Sequence, residues 1–365
     1  MSADFIIIMT GVLVAVPCAL LGTLLVLRQM SMLGDGISHA VLPGIVLAFF
    51  ISESLGPVTS LIGAGVFGLL TAVFVEALKN TGKVKEDSSI GIVFTALFAL
   101  GVFLISRFAG SVHLDLRHVL YGEIVFSPLN ALIIGGVNLG PRSLWAMGIV
   151  TVLAAGFVLL LYKELKIATF DAGLAAAVGL SPILIHYLLM GAVSVTVVGA
   201  FDSVGAILVV AFLIAPPATA YLLTDQLWRM MALAIAVGVV CAVSGYYLAA
   251  LMDVSVSGMM ATMTGLLFLA ALLASPSHGL VAAFLRRRRN RNSFSRQLLL
   301  SKIKTLGNHA TEEDLVRHLD WEDGRVSEIL RGALRDGFVL RPETGKVSLT
   351  GKGREVAHGT EKAPA

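Results

Sequence analysis

The sequence predicts an all-α polytopic membrane protein of about nine transmembrane helices, followed by a cytoplasmic α+β domain of winged helix-turn-helix type. Three observations predict this. Mean hydropathy over the 365 residues is +0.87, with 56% hydrophobic and only 14% charged residues, a balance that soluble globular domains do not sustain. Apolar runs of about 20 residues, the length that crosses a bilayer, recur through the first three-quarters of the chain. Beyond residue 285 the charge density rises abruptly to that of a soluble domain.

The apolar runs fall at 4–27, 37–55, 57–79, 89–106, 143–163, 181–201, 203–223, 229–251 and 256–274. The first lacks a basic leading segment and a small-residue cleavage site, so it reads as a retained span rather than a signal peptide. Residues 124–140 contain an apolar stretch too short to span alone, and a re-entrant or interfacial helix is expected there. Cys18 and Cys241 both lie inside apolar runs, which leaves no disulfide framework and no cysteine metal cluster. If the crossings alternate, Arg28, Lys79, Lys83, Lys85, Lys163, Lys166, Arg229 and Arg286 to Arg289 share one side, and only Arg107, Arg117 and Arg142 face the other. Basic residues mark the cytoplasmic side, so the N-terminus is expected outside and the C-terminus inside.

The expected organisation is a transmembrane domain at 1–285, a basic linker at 286–293, a winged-helix-like domain at 294–358 and a disordered tail at 359–365. Within the third part, Leu298, Leu299, Ile303 and Leu306 follow helical spacing. Thr311 and Asp314 read as a capping box opening a second helix, a third runs from about Glu322 to Asp336, and two short strands follow around a glycine-containing turn. From Phe294 onward twelve Lys or Arg face eleven Asp or Glu. DNA binding is driven largely by phosphate neutralisation, so despite Arg325, Arg331 and Arg335 on the third helix, where Glu328 also sits, a regulatory or protein-docking role is favoured over DNA binding.

The chemistry is concentrated in Met32-Leu-Gly-Asp35-Gly-Ile-Ser-His39-Ala-Val-Leu-Pro43-Gly44. Asp35 and His39 are four residues apart, on one face of a helix, and ionisable groups at membrane depth are functional candidates. Carboxylate with imidazole suits Zn, Mn or Fe(II). The alternative is a helix cap beside a histidine satisfied by a backbone carbonyl. Two ligands require completion by another helix or a second copy of the chain, and weak coordination suits a pathway that must also release its ion. Pro43 with Gly44, and Pro216 with Pro217, are expected to break their helices along such a pathway. Asp202 is expected in an outer turn, as a solvated carboxylate or a relay. His113, Asp115, His118 and Glu123 form an outer cluster that could collect metal, dock a protein or be merely solvated. Glu86 and Asp87 read as helix-cap charges.

Three strings carry a family resemblance: Leu27-Arg-Gln-Met-Ser-Met-Leu-Gly-Asp35-Gly-Ile-Ser-His39-Ala-Val-Leu-Pro43-Gly44, Lys85-Glu-Asp-Ser-Ser-Ile-Gly91-Ile, and Val204 through Ala220 with Pro216-Pro217. Over nearly all of residues 1–280 the chain resembles the zinc/manganese/iron class of ABC importer permeases. The resemblance implies a multi-pass protein of the bacterial cytoplasmic membrane that works as a homo- or heterodimer. It also implies a cytoplasmic ATPase, an extracytoplasmic metal-binding protein that delivers Mn, Zn or Fe, no permanent cofactor, and Asp35 and His39 as the metal ligands. The chain carries no Gly-x-x-x-x-Gly-Lys-Ser/Thr loop, in keeping with ATP hydrolysis on a partner and no enzymatic activity of its own. The loop from Lys163 to Gly179 lies where the family carries its coupling helix, which makes Phe170, Asp171, Leu174 and Gly179 candidate ATPase contacts. Two departures stand out: Phe201-Asp202, where many members carry an uncharged turn, and the C-terminal domain, which resembles the DNA-binding module of metal-responsive repressors. The competing classes are an ion-gradient-driven metal transporter and a membrane-tethered metal-responsive regulator.

Overall fold

The computed structural model describes residues 2–52, 57–108, 124–129, 131–134, 137–275, 279–307, 310–340 and 346–357. They form two compact units, 1–275 and 276–365. The first unit contains helices α1 (Ala3–Leu27), α2 (Leu33–Ser52), α3 (Pro57–Lys79) and α4 (Glu86–Phe108), then strands β1 (Ala131–Ile134) and β2 (Val137–Pro141). It continues with α5 (Arg142–Leu160), two short helices α6 (Tyr162–Phe170) and α7 (Ala172–Ala177), then α8 (Pro182–Val204), α9 (Ala206–Leu223), α10 (Leu227–Met252) and α11 (Val256–Ala274). Among the described residues nine helices are long and apolar enough to cross a membrane.

Helix α1 is the core. It is apolar on every side, the pattern of a helix buried all round, and Val14, Ala15, Cys18, Leu21, Leu24 and Leu25 have no exposed surface. It packs against α5, α8, α9 and α10. Lipid offers no hydrophobic drive for helices to associate, so close approach through small residues and hydrogen bonds must supply it. Both are present. Thr151 on α5 donates to the Leu13 carbonyl at 2.7 Å, and a Cβ on Gly22 would overlap the Leu213 carbonyl oxygen of α9.

The structure corrects four expectations. Among the described residues of 124–140 there is no re-entrant or interfacial helix: a single 3-10 turn at Ile124–Phe126 is followed by the antiparallel pair β1–β2, with Ile134 opposite Val137. The strand residues include β-branched Ile133, Ile134 and Val137, which favour extended backbone. Asp202 does not lie in a turn but in the last helical turn of α8, because the chain reverses at a single residue, Gly205, at φ 81° and ψ 166°. That backbone region is essentially restricted to glycine.

The third and fourth corrections concern the prolines. Helix α2 runs unbroken through Pro43 and Gly44, and α9 through Pro216 and Pro217. All four residues are buried. Packing accounts for this: Pro43 sits against Gly101 of α4, where an added Cβ would lie 2.9 Å from the ring, and Gly44 faces Gly63 of α3 across a close crossing. Pro217 cannot donate to the Leu213 carbonyl, and that same carbonyl abuts Gly22, where a Cα–H···O contact can form.

The second unit opens with α12 (Leu280–Leu306), a continuous helix that carries the Arg286–Arg289 run, where a linker is expected from sequence. Helices α13 (Glu312–Leu319) and α14 (Asp323–Arg335) follow, then strands β3 (Val339–Leu340) and β4 (Ser348–Leu349), paired antiparallel, and α15 (Gly351–Ala357). The Thr311–Asp314 capping box opens α13, and Gly337 at φ 73° ends the α14 region. Leu299, Leu300, Ile303, Leu315, Val326 and Leu330 form its core, whereas Leu298 is exposed. Arg325 lies over Trp321 and donates to Ser295, and Arg331 donates to the Ser327 carbonyl. Two of the three arginines on α14 are therefore engaged within the unit. Residues 359–365 lie outside the described residues.

Candidate metal site

The path to the site begins where α1 ends. Gln29 takes a left-handed conformation (φ 61°), Met30 N–H bonds the Leu25 carbonyl at 2.9 Å, and Gln29 N–H bonds that of Val26 at 3.1 Å. This is the Schellman pattern, with glutamine where glycine is usual. It turns the chain so that α2 starts at Leu33 and places Asp35 in its first turn.

One turn later the Oδ1 of Asp35 and the Nε2 of His39 are 3.5 Å apart. Two ligands at about 2.1 Å from one ion, at a tetrahedral angle, stand about 3.4 Å apart, so the pair has a suitable bite. Their side chains are 35% and 33% exposed, which leaves room for an ion and for ligands from elsewhere. The imidazole is stacked on Phe94 at 5.6 Å and meets the edge of Phe98 at 5.9 Å, both on α4. Pro43 has no N–H to offer the His39 carbonyl, so the residue supplying the ring also carries a backbone oxygen without its helical donor.

Depth follows from packing. Ile37, between the two in sequence, has its Cγ2 3.2 Å from the position of a Cβ on Gly68, and Ser194 Oγ borders the same position. Gly68 is the midpoint of α3, eleven residues from Lys79, and Ser194 is twelve residues into α8. At 1.5 Å per residue these are about 16–18 Å from the helix ends. The pair therefore flanks a level near the middle of the bundle. Among the described residues no group of three or more His, Cys, Asp or Glu side chains could hold a metal, so Asp35 and His39 are at most a half-site within one chain.

The other candidates are separate from this pair. His113, Asp115, His118 and Glu123 lie outside the described residues. Phe170 ends α6 and is 61% exposed, with Leu174 51% exposed nearby. Asp171 caps α7 by accepting from Leu174 N–H at 2.8 Å, and Gly179 takes φ 87° in the Schellman closure of that helix. These four form one compact, partly apolar segment between α5 and α8.

Sequence reasoning missed a second carboxylate–imidazole pair, Glu76 Oε2 and His186 Nε2, 3.7 Å apart. These residues are 110 positions apart in the sequence and no local motif joins them. Arg28 Nε donates to Thr169 Oγ1 at 3.1 Å nearby, and burial pushes its guanidinium pKa down.

Residues 4–275 match the family model described as the ABC 3 transport family. The chain is 50% identical over 286 residues to the manganese transport system membrane protein MntD of Bacillus subtilis, covering 78% of this chain and 97% of that one. It is 43% identical over 344 residues to the zinc transport system membrane protein TroD of Treponema pallidum, covering 92% and 93%, so this likeness runs well into the second unit. A solved structure of PsaBC from Streptococcus pneumoniae in complex with Fab has a chain similar to this one, with a TM-score of 0.63 and 30% identity over 79% of this chain and 96% of that one. The span-forming helices, the match across residues 4–275 and the shared fold make this chain a multi-pass membrane protein of the ABC 3 transport family.

Proposed function

We propose that this chain is the permease subunit of an ATP-driven importer of divalent transition-metal ions, with Asp35 and His39 as ligands that the ion meets midway through the bundle. The observation that carries this reading is the 3.5 Å carboxylate–imidazole pair at mid-depth, open on one side and framed by Phe94 and Phe98. A manganese and a zinc transport protein among its relatives support the substrate class, and Mn, Zn and Fe(II) all accept this ligand pair. Two copies of the half-site, from a homodimer or a related heterodimer, complete the coordination.

The Phe170–Gly179 segment is the docking surface for a cytoplasmic ATPase: it presents exposed Phe170, Leu174 and Val178 on a capped helix. The excess of Lys and Arg at that end of the spans supports a cytoplasmic position for it, with the N-terminus outside, where a metal-binding protein delivers the ion. Residues 294–358 serve as a winged-helix-like regulatory or protein-docking domain, with two of its helix arginines already engaged.

The test is manganese uptake by vesicles containing the chain and its ATPase. Asp35→Asn with His39→Ala should abolish uptake while leaving insertion and ATPase association intact. Normal uptake would remove the site assignment, and uptake that survives ATP withdrawal but follows a proton gradient would remove the ATP-driven reading.

A further inference from the structure

Three spans end around one cavity. Arg28 follows the last residue of α1, Lys79 is the last residue of α3, and His186 lies near the start of α8. With Glu76 of α3 and Thr169 from the end of α6, they line a space of about 320 Å³. The lining carries surplus positive charge. Arg28 and Lys79 bring two cations against the Glu76 carboxylate, and that carboxylate is already met: its Oε2 lies 4.0 Å from the Lys79 ammonium and 3.7 Å from His186 Nε2. The Arg28 guanidinium is what remains. Its Nε donates to Thr169 Oγ1 at 3.1 Å, while its Nη2 is buried and has no acceptor. A buried charged donor without an acceptor is a costly state, and an anion beside it would relieve the cost.

The donors select the class of anion. A guanidinium fork with an ammonium nearby matches the oxygens of a phosphate group. At about 30 Å³ per water-sized atom, the five heavy atoms of a phosphate need at most about 150 Å³, so the group fits with water around it. The three heavy atoms of a partner protein's carboxylate would leave most of the space unfilled. Location points to the source. The cavity lies where α1 and α3 end and α8 begins, the level at which hydrocarbon gives way to headgroups. Basic pockets between membrane helices on the cytoplasmic side bind anionic lipid headgroups. We propose that Arg28 and Lys79 bind the phosphate group of an anionic phospholipid at this junction of α1, α3 and α8, with Thr169 and His186 bordering it. The site goes beyond the permease reading and holds whichever ion crosses the bundle.

The experiment counts lipids that stay with the full chain and its ATPase, by native mass spectrometry after release from phosphatidylcholine nanodiscs doped with a minor share of phosphatidylglycerol. The wild type should retain phosphatidylglycerol in preference to phosphatidylcholine. One unit charge about 4 Å from the phosphate at near-aqueous dielectric is worth about fivefold. Lys79→Gln should therefore weaken retention about fivefold, and Arg28→Gln at least as much because hydrogen bonds go with the charge. Lys79→Gln carries the test where Arg28→Gln fails to insert. Glu76→Gln removes the one negative charge among the lining residues and should raise retention about fivefold, a gain that damage to the fold cannot mimic. Arg229→Gln, at the start of α10 and over Trp228, is the control and should change nothing. Retention unaltered in both Arg28→Gln and Lys79→Gln, lowered in Glu76→Gln, or equally lost in Arg229→Gln would overturn the proposal. Radiolabelled inorganic phosphate, offered in nanodiscs of phosphatidylcholine alone, separates the sources: phosphate bound through Arg28 and Lys79, with no preference for phosphatidylglycerol, would overturn the lipid. So would an assembly that retains neither while Arg28→Gln weakens ATPase association, which would put an acidic side chain of the ATPase in the cavity. None of these measurements involves transport, so failure of the metal-uptake test leaves their outcome standing.

Discussion

Gly44→Ala separates two opposite accounts of the Pro43-Gly44 step. A Cβ on Gly44 would overlap the Gly63 carbonyl oxygen and come within 2.8 Å of its carbon and 3.0 Å of Phe67 Cβ. Carbon contacts relax at about 3.5–4.0 Å, so α2 and α3 must separate by about 0.7–1 Å, which forfeits a quarter to a half of the attraction at the crossing. Overpacking of this kind costs about 1–3 kcal/mol. The alanine itself gains about 1 kcal/mol of helix propensity, which leaves a net destabilisation of about 0–2 kcal/mol. Were Pro43-Gly44 a helix break, the same substitution would stabilise by about 1 kcal/mol. Gly65→Ala is the control, because Gly65 is on α3, the helix that Gly44 faces, with nothing near its Cβ position; it should gain what propensity gives. At about 2–4 °C per kcal/mol, the midpoint of thermal unfolding in detergent should fall at least about 2 °C lower for Gly44→Ala than for Gly65→Ala. Equal midpoints, or a higher one for Gly44→Ala, would refute the packing account.

Asp171→Ala removes the α7 cap, at a cost of about 1 kcal/mol, and Gly179→Ala strains a φ of 87°; both should lower ions moved per ATP hydrolysed while hydrolysis persists, and an unchanged ratio would exclude this segment from coupling. The Thr311 hydroxyl and N–H hold the Asp314 carboxyl below its ordinary pKa. A depressed carboxyl stabilises the fold above its unfolded value, near 3.9, and loses that contribution as pH falls through the folded one. Amide-exchange protection of α13 should therefore fall below about pH 4, and Asp314→Asn should flatten that dependence; an identical acid profile in the variant would contradict it. A chain ending at residue 275 should retain basal metal uptake, because the first unit holds all nine spans found among the described residues and the Asp35–His39 pair; loss of uptake with normal insertion would tie the second unit to transport itself.

The spans were legible in sequence because each is a long apolar run, and the four-residue spacing of Asp35 and His39 was legible because helical periodicity is local. The capping box at Thr311 is likewise written in adjacent residues. What escaped is non-local or inverted by context. Pro43 and Pro216-Pro217 read as breaks because isolated propensity opposes them, yet Gly101, Gly63 and Gly22 on other helices accommodate them. The β1–β2 hairpin was hidden because a short apolar run gives the same signal for a buried helix and a strand. Asp202 was misplaced by one turn, since a one-residue reversal at Gly205 leaves almost no loop to detect. Phe94 and Phe98 around His39, and Glu76 with His186, become visible only once α2 meets α4 and α3 meets α8. The i, i+4 spacing of the two phenylalanines was the one local signal available.

The central claim is that the His39 imidazole touches the transported ion. Electron spin-echo spectroscopy of Mn2+ bound to the assembled chain, in a His186→Gln background that removes the imidazole paired with Glu76, reads this directly as coupling between the metal and a ring nitrogen. The expected result is one such nitrogen per chain, absent in His39→Ala. Bound Mn2+ without nitrogen coupling, or coupling that persists in His39→Ala, would contradict the account.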